Sequence, residues 1–224
     1  MKKQKLKIAS YQDRLLQKVL ESNEEMVNIS ETLKNIICIH ENSDMQKYTG
    51  QNIWVRKSVA FKLEKASGKL SRLSPNFKLK VVFGFRHPEV QKFYFERRKK
   101  LLRQNNSSLS EEELEELADT MSANPKVAGH PTGGAVDITI TTQDSDLDMG
   151  TRISDFTDAE KIKTFSGNIS ETQKKNRKLL HDIMTSVGFA PYYGEWWHFS
   201  YGDREWTFFY NQPCAIYDQI NFTT

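Results

Sequence analysis

Cysteine is almost absent from this 224-residue sequence, with Cys38 and Cys214 the only two. Two thiols in so long a chain exclude a disulfide framework and point to a reducing compartment, though one bridge between them is compatible with the sequence. Long apolar runs are missing as well. No window approaches the roughly 18 consecutive apolar residues of a membrane-spanning helix, so no span is expected. The N-terminus carries Lys2, Lys3, Lys5 and Lys7, but Gln12, Asp13 and Arg14 follow before any apolar stretch can develop. No secretory signal is recognisable there. The expected location is cytoplasmic, or exported if a signal had already been removed.

Net charge is close to absent too. Lys and Arg number 32 against 29 Asp and Glu, a formal +3 at pH 7. So small and evenly spread an excess argues against a nucleic-acid partner. The densest basic runs, Lys2 to Lys7 and Arg97 to Lys100, read as a solvated terminus and the outer face of a helix. Composition is that of a soluble globular protein, and a chain of this length buries enough surface to fold without staples. One domain over 1–224 is expected, with residues 1–50 a weakly specified helical extension. The sequence carries no signal of oligomeric state.

Periodicity supplies the elements. A weak helical stripe of Leu15, Leu16, Val19 and Leu20 runs from Gln12 toward Asn35, interrupted at Ser22-Asn23. Val59, Leu63, Ala66, Leu70 and Leu73 mark a clearer helix over Ser58 to Leu73. Alternation over Phe77 to Phe83 predicts a half-buried strand, followed by a helix from Pro88 to about Arg103. Ser110 with Glu113 makes a capping box for a helix over Glu111 to Thr120. Ala135 to Ile140 reads as a second strand, Glu171 to Val187 as a third good helix, and Tyr192 to Tyr210 as a β-rich tail. The class is α+β, an antiparallel sheet with flanking helices.

Histidine is scarce, at five residues, and two stand in informative surroundings. In Gly129-His130-Pro131-Thr132-Gly133-Gly134-Ala135-Val136-Asp137, strand alternation turns Val136, Ile138 and Ile140 to the core and Asp137 the other way. A mid-strand carboxylate is costly unless paired or metal-bound, and the glycine pair lets His130 swing back toward it. A loop histidine beside a solvated strand face is the plain alternative. In Gly194-Glu195-Trp196-Trp197-His198-Phe199, aromatic neighbours desolvate both Glu195 and His198, unless the segment is simply an aromatic core strand. Residues three apart on a regular strand face opposite sides, so a shared site requires a bulge or turn between them. Together the two stretches hold a hydrolytic inventory: His130, Asp137 and His198 as ligands of one zinc ion, with Glu195 as general base. Arg86, at the rim where the first strand ends, is a candidate to stabilise an oxyanion. From position alone, an ordinary surface arginine near a helix start is the preferred reading.

These residues resemble the zinc D-Ala-D-Ala dipeptidases, the VanX-like branch of the D,D-peptidase family of cell-wall enzymes. The family pattern Ser-x-His-x-x-Gly-x-Ala-x-Asp is matched by Ala128 to Asp137 except at its Ser, and Glu-x-x-His by Glu195 to His198. Leu147 to Thr151, Asn176-Arg177-x-Leu179-Leu180 and Gly188-Phe189 extend the similarity from about residue 77 onward. The resemblance implies zinc at His130, Asp137 and His198, Glu195 as base and Arg86 as oxyanion stabiliser. It also implies an Asp, shortly after Met149-Gly150-Thr151, that binds the ammonium of a free dipeptide. The segment is one residue longer than the family spacing, and Asp155 stands as the equivalent. Three departures bear on substrate choice: Ala128 replaces the family's Ser, Phe83 replaces an Asp, and His87 separates Arg86 from Pro88.

The expected partner is therefore a small dipeptide, D-Ala-D-Ala or a related one. A D,D-carboxypeptidase trimming peptidoglycan stem peptides is the alternative enzyme. A zinc-containing module that binds wall peptides without cutting them is the alternative outside catalysis. Intact Glu195 and Arg86 argue against the last, because structural zinc sites usually close their fourth position with protein.

Overall fold

The computed structural model describes residues 8–40 and 43–224; the basic run Lys2 to Lys7 lies outside them. In chain order the elements are α1 (Tyr11–Leu15), β1 (Met26–Asn28), α2 (Ile29–Thr32), β2 (Ile37–Cys38), α3 (Gln46–Thr49), β3 (Trp54–Arg56), α4 (Lys57–Leu73) and β4 (Lys78–Phe83). They continue with α5 (Pro88–Asn105), α6 (Glu111–Asp119), β5 (Ala135–Thr141), α7 (Glu171–Thr185), β6 (Ala190–Pro191), β7 (His198–Ser200) and α8 (Arg204–Tyr210). Five strands form one sheet in the order β2-β4-β5-β7-β6, and β1 pairs with β3 in a separate ribbon. The class is α+β. The sheet is antiparallel except at its edge, where β2 runs parallel to β4.

The apolar stripe of α4 explains its place. Val59, Leu63, Ala66 and Leu70 are fully or almost fully buried, and they join Leu180, Ile183 and Met184 of α7 over one face of the sheet. Val136, Ile138 and Ile140 of β5 point into that core. All seven residues of β5 are buried, as a central strand covered on both faces must be. Its odd-numbered side chains, Asp137 among them, are thereby turned to the opposite face. Capping follows local chemistry: Ser110 and Glu113 form the expected capping box on α6, and Ser170 with Gln173 forms another on α7.

Two expectations are corrected. Residues 8–50 are not a helical extension. After the single turn of α1 the chain runs extended, Val19 bridges Ala215, and Ala215 exchanges backbone hydrogen bonds with Lys18 and Leu20. Leu16 and Leu20 are exposed, at 79% and 71%, so the weak stripe has nothing to pack on. The segment holds the three short helices α1, α2 and α3, separated by extended chain and by β1 and β2, rather than one helical stripe. The tail from Tyr192 to Tyr210 is also less β-rich than its aromatics suggest. Only His198–Ser200 is strand, because the Asp203 carboxylate accepts from the Trp206 backbone N–H and starts α8. Cys38 and Cys214 are both free thiols. Among the described residues no helix is long and apolar enough to cross a membrane.

Ile138 ties the core to the strand that carries Asp137. Ile138→Ala is expected to cost about 2–5 kcal/mol of stability. Urea unfolding followed by far-UV circular dichroism measures it, and a loss below about 1 kcal/mol would contradict the central position given to this side chain.

Candidate metal centre and active-site cavity

Strand register places the first two groups. Asp137 on β5 lies directly opposite His198 on β7, and opposite Phe83 on β4 just past an irregularity between Val81 and Phe83. His198 Nδ1 is 3.0 Å from Asp137 Oδ1. His130 reaches the same carboxylate from a 3₁₀ turn, His130–Thr132, that ends at Gly133 in the left-handed region, φ +74°. That conformation suits glycine and lets the chain fold back into β5. His130 Nε2 is 3.3 Å from Asp137 Oδ2. One donor atom from each of the three side chains lies within 4.8 Å of the others.

The imidazole of His130 is oriented from behind. Its Nδ1–H donates to the Gly84 carbonyl at 2.8 Å, which leaves Nε2 with a lone pair facing Asp137. Such a hydrogen bond fixes tautomer and ring direction in metal sites. Burial pushes His130 down to about 4, against the pull of Asp137 and with Arg86 adding to the fall. The ring is therefore neutral near pH 7, the form that ligates metal. Burial alone would raise Asp137, but the two facing imidazoles outweigh it and hold the carboxyl well below the ordinary range. For His198 burial acts downward, and hydrogen bonding and charge from Asp137 reverse it, so the net direction is up.

Glu195 and His198 are brought together by a turn, as their spacing demands. The His198 N–H donates to the Glu195 carbonyl at 3.3 Å, and the Glu195 N–H to the Tyr192 carbonyl at 3.1 Å. Trp196 Nε1–H donates to Thr151 Oγ1, tying this turn to the Met149-Gly150-Thr151 segment. Arg177 secures that segment from below, donating to the carbonyls of Met149, Lys161 and Lys163. Burial raises Glu195 to about 8; Asp137 adds to the rise, and His198, Arg86 and Arg14 oppose it.

Arg86 stands at the rim, as its position after the strand suggests. Its Nη1 donates to Gln91 Oε1 at 2.9 Å, Nη2 is 3.7 Å from Asp137 Oδ2, and its guanidinium covers the Phe83 ring at 4.2 Å. Phe83, where the resembled family has Asp, thus becomes the platform for this arginine. His87 is structural: its ring caps α5 and stacks on Tyr48 at 3.8 Å.

A cavity of about 310 Å³ opens on this centre, lined by His130, Asp137, Glu195, His198 and Arg86. That size is at the small end of ligand sites. Asp155 is not among its lining residues. Its carboxylate accepts from the Thr157 hydroxyl and backbone N–H, while Ser154, in the left-handed region at φ +60°, and Phe156 face the cavity. The loop therefore brings Ser154 and Phe156 to the cavity, and not the carboxylate expected there. Sequence reasoning missed a second group altogether: Arg14, Asp119, Asp203 and Glu205 also line the cavity. They come from three distant segments. The one legible signal was the run Asp203-Arg204-Glu205-Trp206, which reads as a helix start.

The raised Glu195 has a consequence for stability. Unfolded, the carboxyl titrates near 4.5; folded without metal, it holds its proton to about 8. The folded chain binds more protons across that window, so stability falls as pH rises through it. In metal-stripped protein, Glu195→Gln removes this loss. Its melting temperature relative to the unsubstituted protein is expected to climb from about pH 5 to about pH 8 and then level off. Differential scanning calorimetry at stepped pH reads the gap, and a flat gap would show that burial does not perturb Glu195.

A family model described as D-ala-D-ala dipeptidase matches residues 41–220. Among characterised proteins the chain is similar to the D-alanyl-D-alanine dipeptidase of Synechocystis sp., 36% identical over 104 residues, which is 42% of each chain. It is similar also to the D-alanyl-D-alanine dipeptidase of Escherichia coli, 33% identical over 73 residues, 32% of this chain and 37% of that one. The matched stretches thus span about two-fifths of the length of these relatives. A solved structure of the LdcB LD-carboxypeptidase aligns over 83% of this chain and 71% of its own, at 19% identity and a TM-score of 0.46. With the family match running over most of its length and through every element of the metal centre, the chain belongs to the D-ala-D-ala dipeptidase family.

Proposed function

We propose that this protein is a zinc-dependent dipeptidase of cell-wall metabolism, hydrolysing D-Ala-D-Ala or a related free D,D-dipeptide, with residues 1–224 working as one unit. The observation that carries this reading is the convergence of His130, Asp137, His198 and Glu195 on one small cavity. It is supported by family membership and by the relatives whose names are those of D-alanyl-D-alanine dipeptidases.

The donor set fits zinc. Two imidazoles and one carboxylate are a common hydrolytic triad of ligands, and they leave a fourth position to solvent. When bound, the metal would polarise the scissile carbonyl and acidify a water molecule. The chain's own residues do the rest. Glu195, poised by burial near neutrality, takes a proton from the attacking water and returns it to the leaving amine. Arg86, held in place by Gln91 and the Phe83 ring, offers positive charge where negative charge grows on the carbonyl oxygen. His130, oriented by the Gly84 carbonyl, keeps the ligand geometry fixed while this happens.

A D,D-carboxypeptidase is the second reading, and one observation favours it. Ser154, rather than a carboxylate, lines the cavity in the loop where an ammonium ligand was expected. A module that only binds wall peptides is disfavoured, since Glu195 is not consumed as a fourth ligand.

Zinc-loaded protein is expected to release free D-Ala from D-Ala-D-Ala. Glu195→Gln should keep one zinc per chain and lower kcat by about 10²–10⁴. Full activity with zinc retained would remove Glu195 as the base. Arg86→Ala should lower kcat by about 10²–10³, with a smaller effect on KM; a change confined to KM would make Arg86 a ground-state binding group instead. Faster cleavage of N-acetyl-D-Ala-D-Ala than of the free dipeptide would decide for the carboxypeptidase.

A further inference from the structure

The solvent side of α4 carries a charge pattern that its packing does not explain. Lys62, Lys65, Lys69 and Arg72 recur at steps of three, four and three residues, which sets them in one row. The row runs along about 15 Å of the helix. Glu64 is the one carboxylate of α4, and the positions a turn away from it are Ala60, Phe61, Ser67 and Gly68. No cation of the row is therefore neutralised from within the helix, and none forms an ion pair elsewhere among the described residues. Like charges three and four apart destabilise a helix. Lys62 registers this, lowered by burial and by the charge of Lys65.

Two of the four cations have a structural use. Lys62 Nζ donates to the Val187 carbonyl at 2.9 Å, and Lys69 Nζ to the Ser186 carbonyl at 3.1 Å and to its Oγ at 2.9 Å. Such bonds cap the C-terminal end of α7. Lys65 and Arg72 reach no carbonyl among the described residues, so capping leaves them unexplained. Gly68 is unexplained as well. It stands inside the helix, where glycine is a poor helix former, yet a Cβ there would meet nothing within 4 Å. Its bare backbone opens the floor of a groove of about 540 Å³ between α4 and the turn after α7, and the four cations line that groove. Local rules broken without a packing gain mark functional surfaces. Apolar groups bracket the row: Phe61 and Leu73, 55% and 67% exposed, stand at its two ends, and Lys65 Nζ lies 4.2 Å over the Phe61 ring.

We propose that this face of α4 docks the protein on an anionic lipid surface. The four cations meet lipid phosphates along the groove, while Phe61 and Leu73 enter the boundary between headgroups and acyl chains. A soluble polyanion would match the cations but make no use of the exposed apolar side chains at their ends. The orientation leaves the metal centre free. The buried stripe of α4 packs on the sheet face that receives Val136, Ile138 and Ile140, and Asp137 is turned to the other face. A docked molecule therefore keeps its cavity on the far side of the sheet from the lipid.

Co-sedimentation of the full-length zinc-loaded protein with vesicles tests the docking face. One set holds phosphatidylglycerol and phosphatidylcholine in equal parts, the other phosphatidylcholine alone. Each cation near an anionic surface is worth about a fivefold gain in partition, so the anionic vesicles should be bound at least about a hundredfold tighter. Lys65→Gln combined with Arg72→Gln should lower that partition about tenfold to thirtyfold. Phe61→Ser combined with Leu73→Ser should lower it at least about fivefold. All four side chains are exposed, so the far-UV circular dichroism of both variants should be unaltered. No preference for anionic vesicles, or a preference that survives the charge variant, overturns the proposal. Unchanged vesicle binding by the Phe61 and Leu73 variant overturns it too; soluble polyphosphate should then bind as tightly as the vesicles, and the face would serve a polyanion in solution.

Discussion

The site depends on one buried carboxylate. Asp137 sits in the middle of a central strand, 3% exposed, where an unpaired charge would cost several kcal/mol. Its two oxygens face two imidazoles, one across the sheet on β7 and one delivered by the turn before β5. A slip of one residue in the β5–β7 pairing would bury Asp137 in the core and turn Val136 or Ile138 to the cavity. Register therefore decides at once whether the protein has a core and whether it has a centre. The irregularity in β4, the left-handed Gly133 and the turn from Glu195 to His198 all serve to bring three more groups to the point that register defines.

Burial then acts on each group according to its charge type. It neutralises His130, pushing the ring to about 4, and it holds a proton on Glu195 to about 8. A neutral donor and a carboxyl poised near neutrality are what ligation and proton transfer respectively require. The same desolvation raises Asp203 and Glu205, and the charges of Arg14 and His198 offset it only in part. The cavity is thus unevenly charged: Arg86 with Arg98 lies toward the α5 side, and a surplus of carboxylates lies around the start of α8.

Much of this was legible in the sequence because it is written in local periodicity. The stripe of α4, the alternation that separates Asp137 from Val136 and Ile138, and the i to i+3 problem between Glu195 and His198 all follow from two repeat lengths. What was not legible depends on pairing between distant segments. Leu16 and Leu20 suggested a helix because nothing local reveals that residues 18 to 20 pair with Ala215. The family resemblance implies Asp155, one residue beyond the usual spacing, but the loop turns at Ser154 and gives that carboxylate to Thr157. Arg14, Asp119, Asp203 and Glu205 are separated by up to 191 positions, and none carries a motif by itself. Asn176 and Arg177 belong to the family pattern in the sequence; their use is to hold the loop around Met149 by its carbonyls, a role only the folded chain displays.

The central claim is that His130, Asp137 and His198 are the protein ligands of one metal ion that keeps a position open to solvent. X-ray absorption at the zinc edge, on protein loaded with one equivalent, tests it most directly. The account predicts two imidazoles, one carboxylate oxygen and at least one exchangeable oxygen within the usual zinc distances of about 2.0–2.2 Å. Sulfur in the first shell, four protein ligands with no exchangeable oxygen, or unaltered uptake by Asp137→Ala would contradict it.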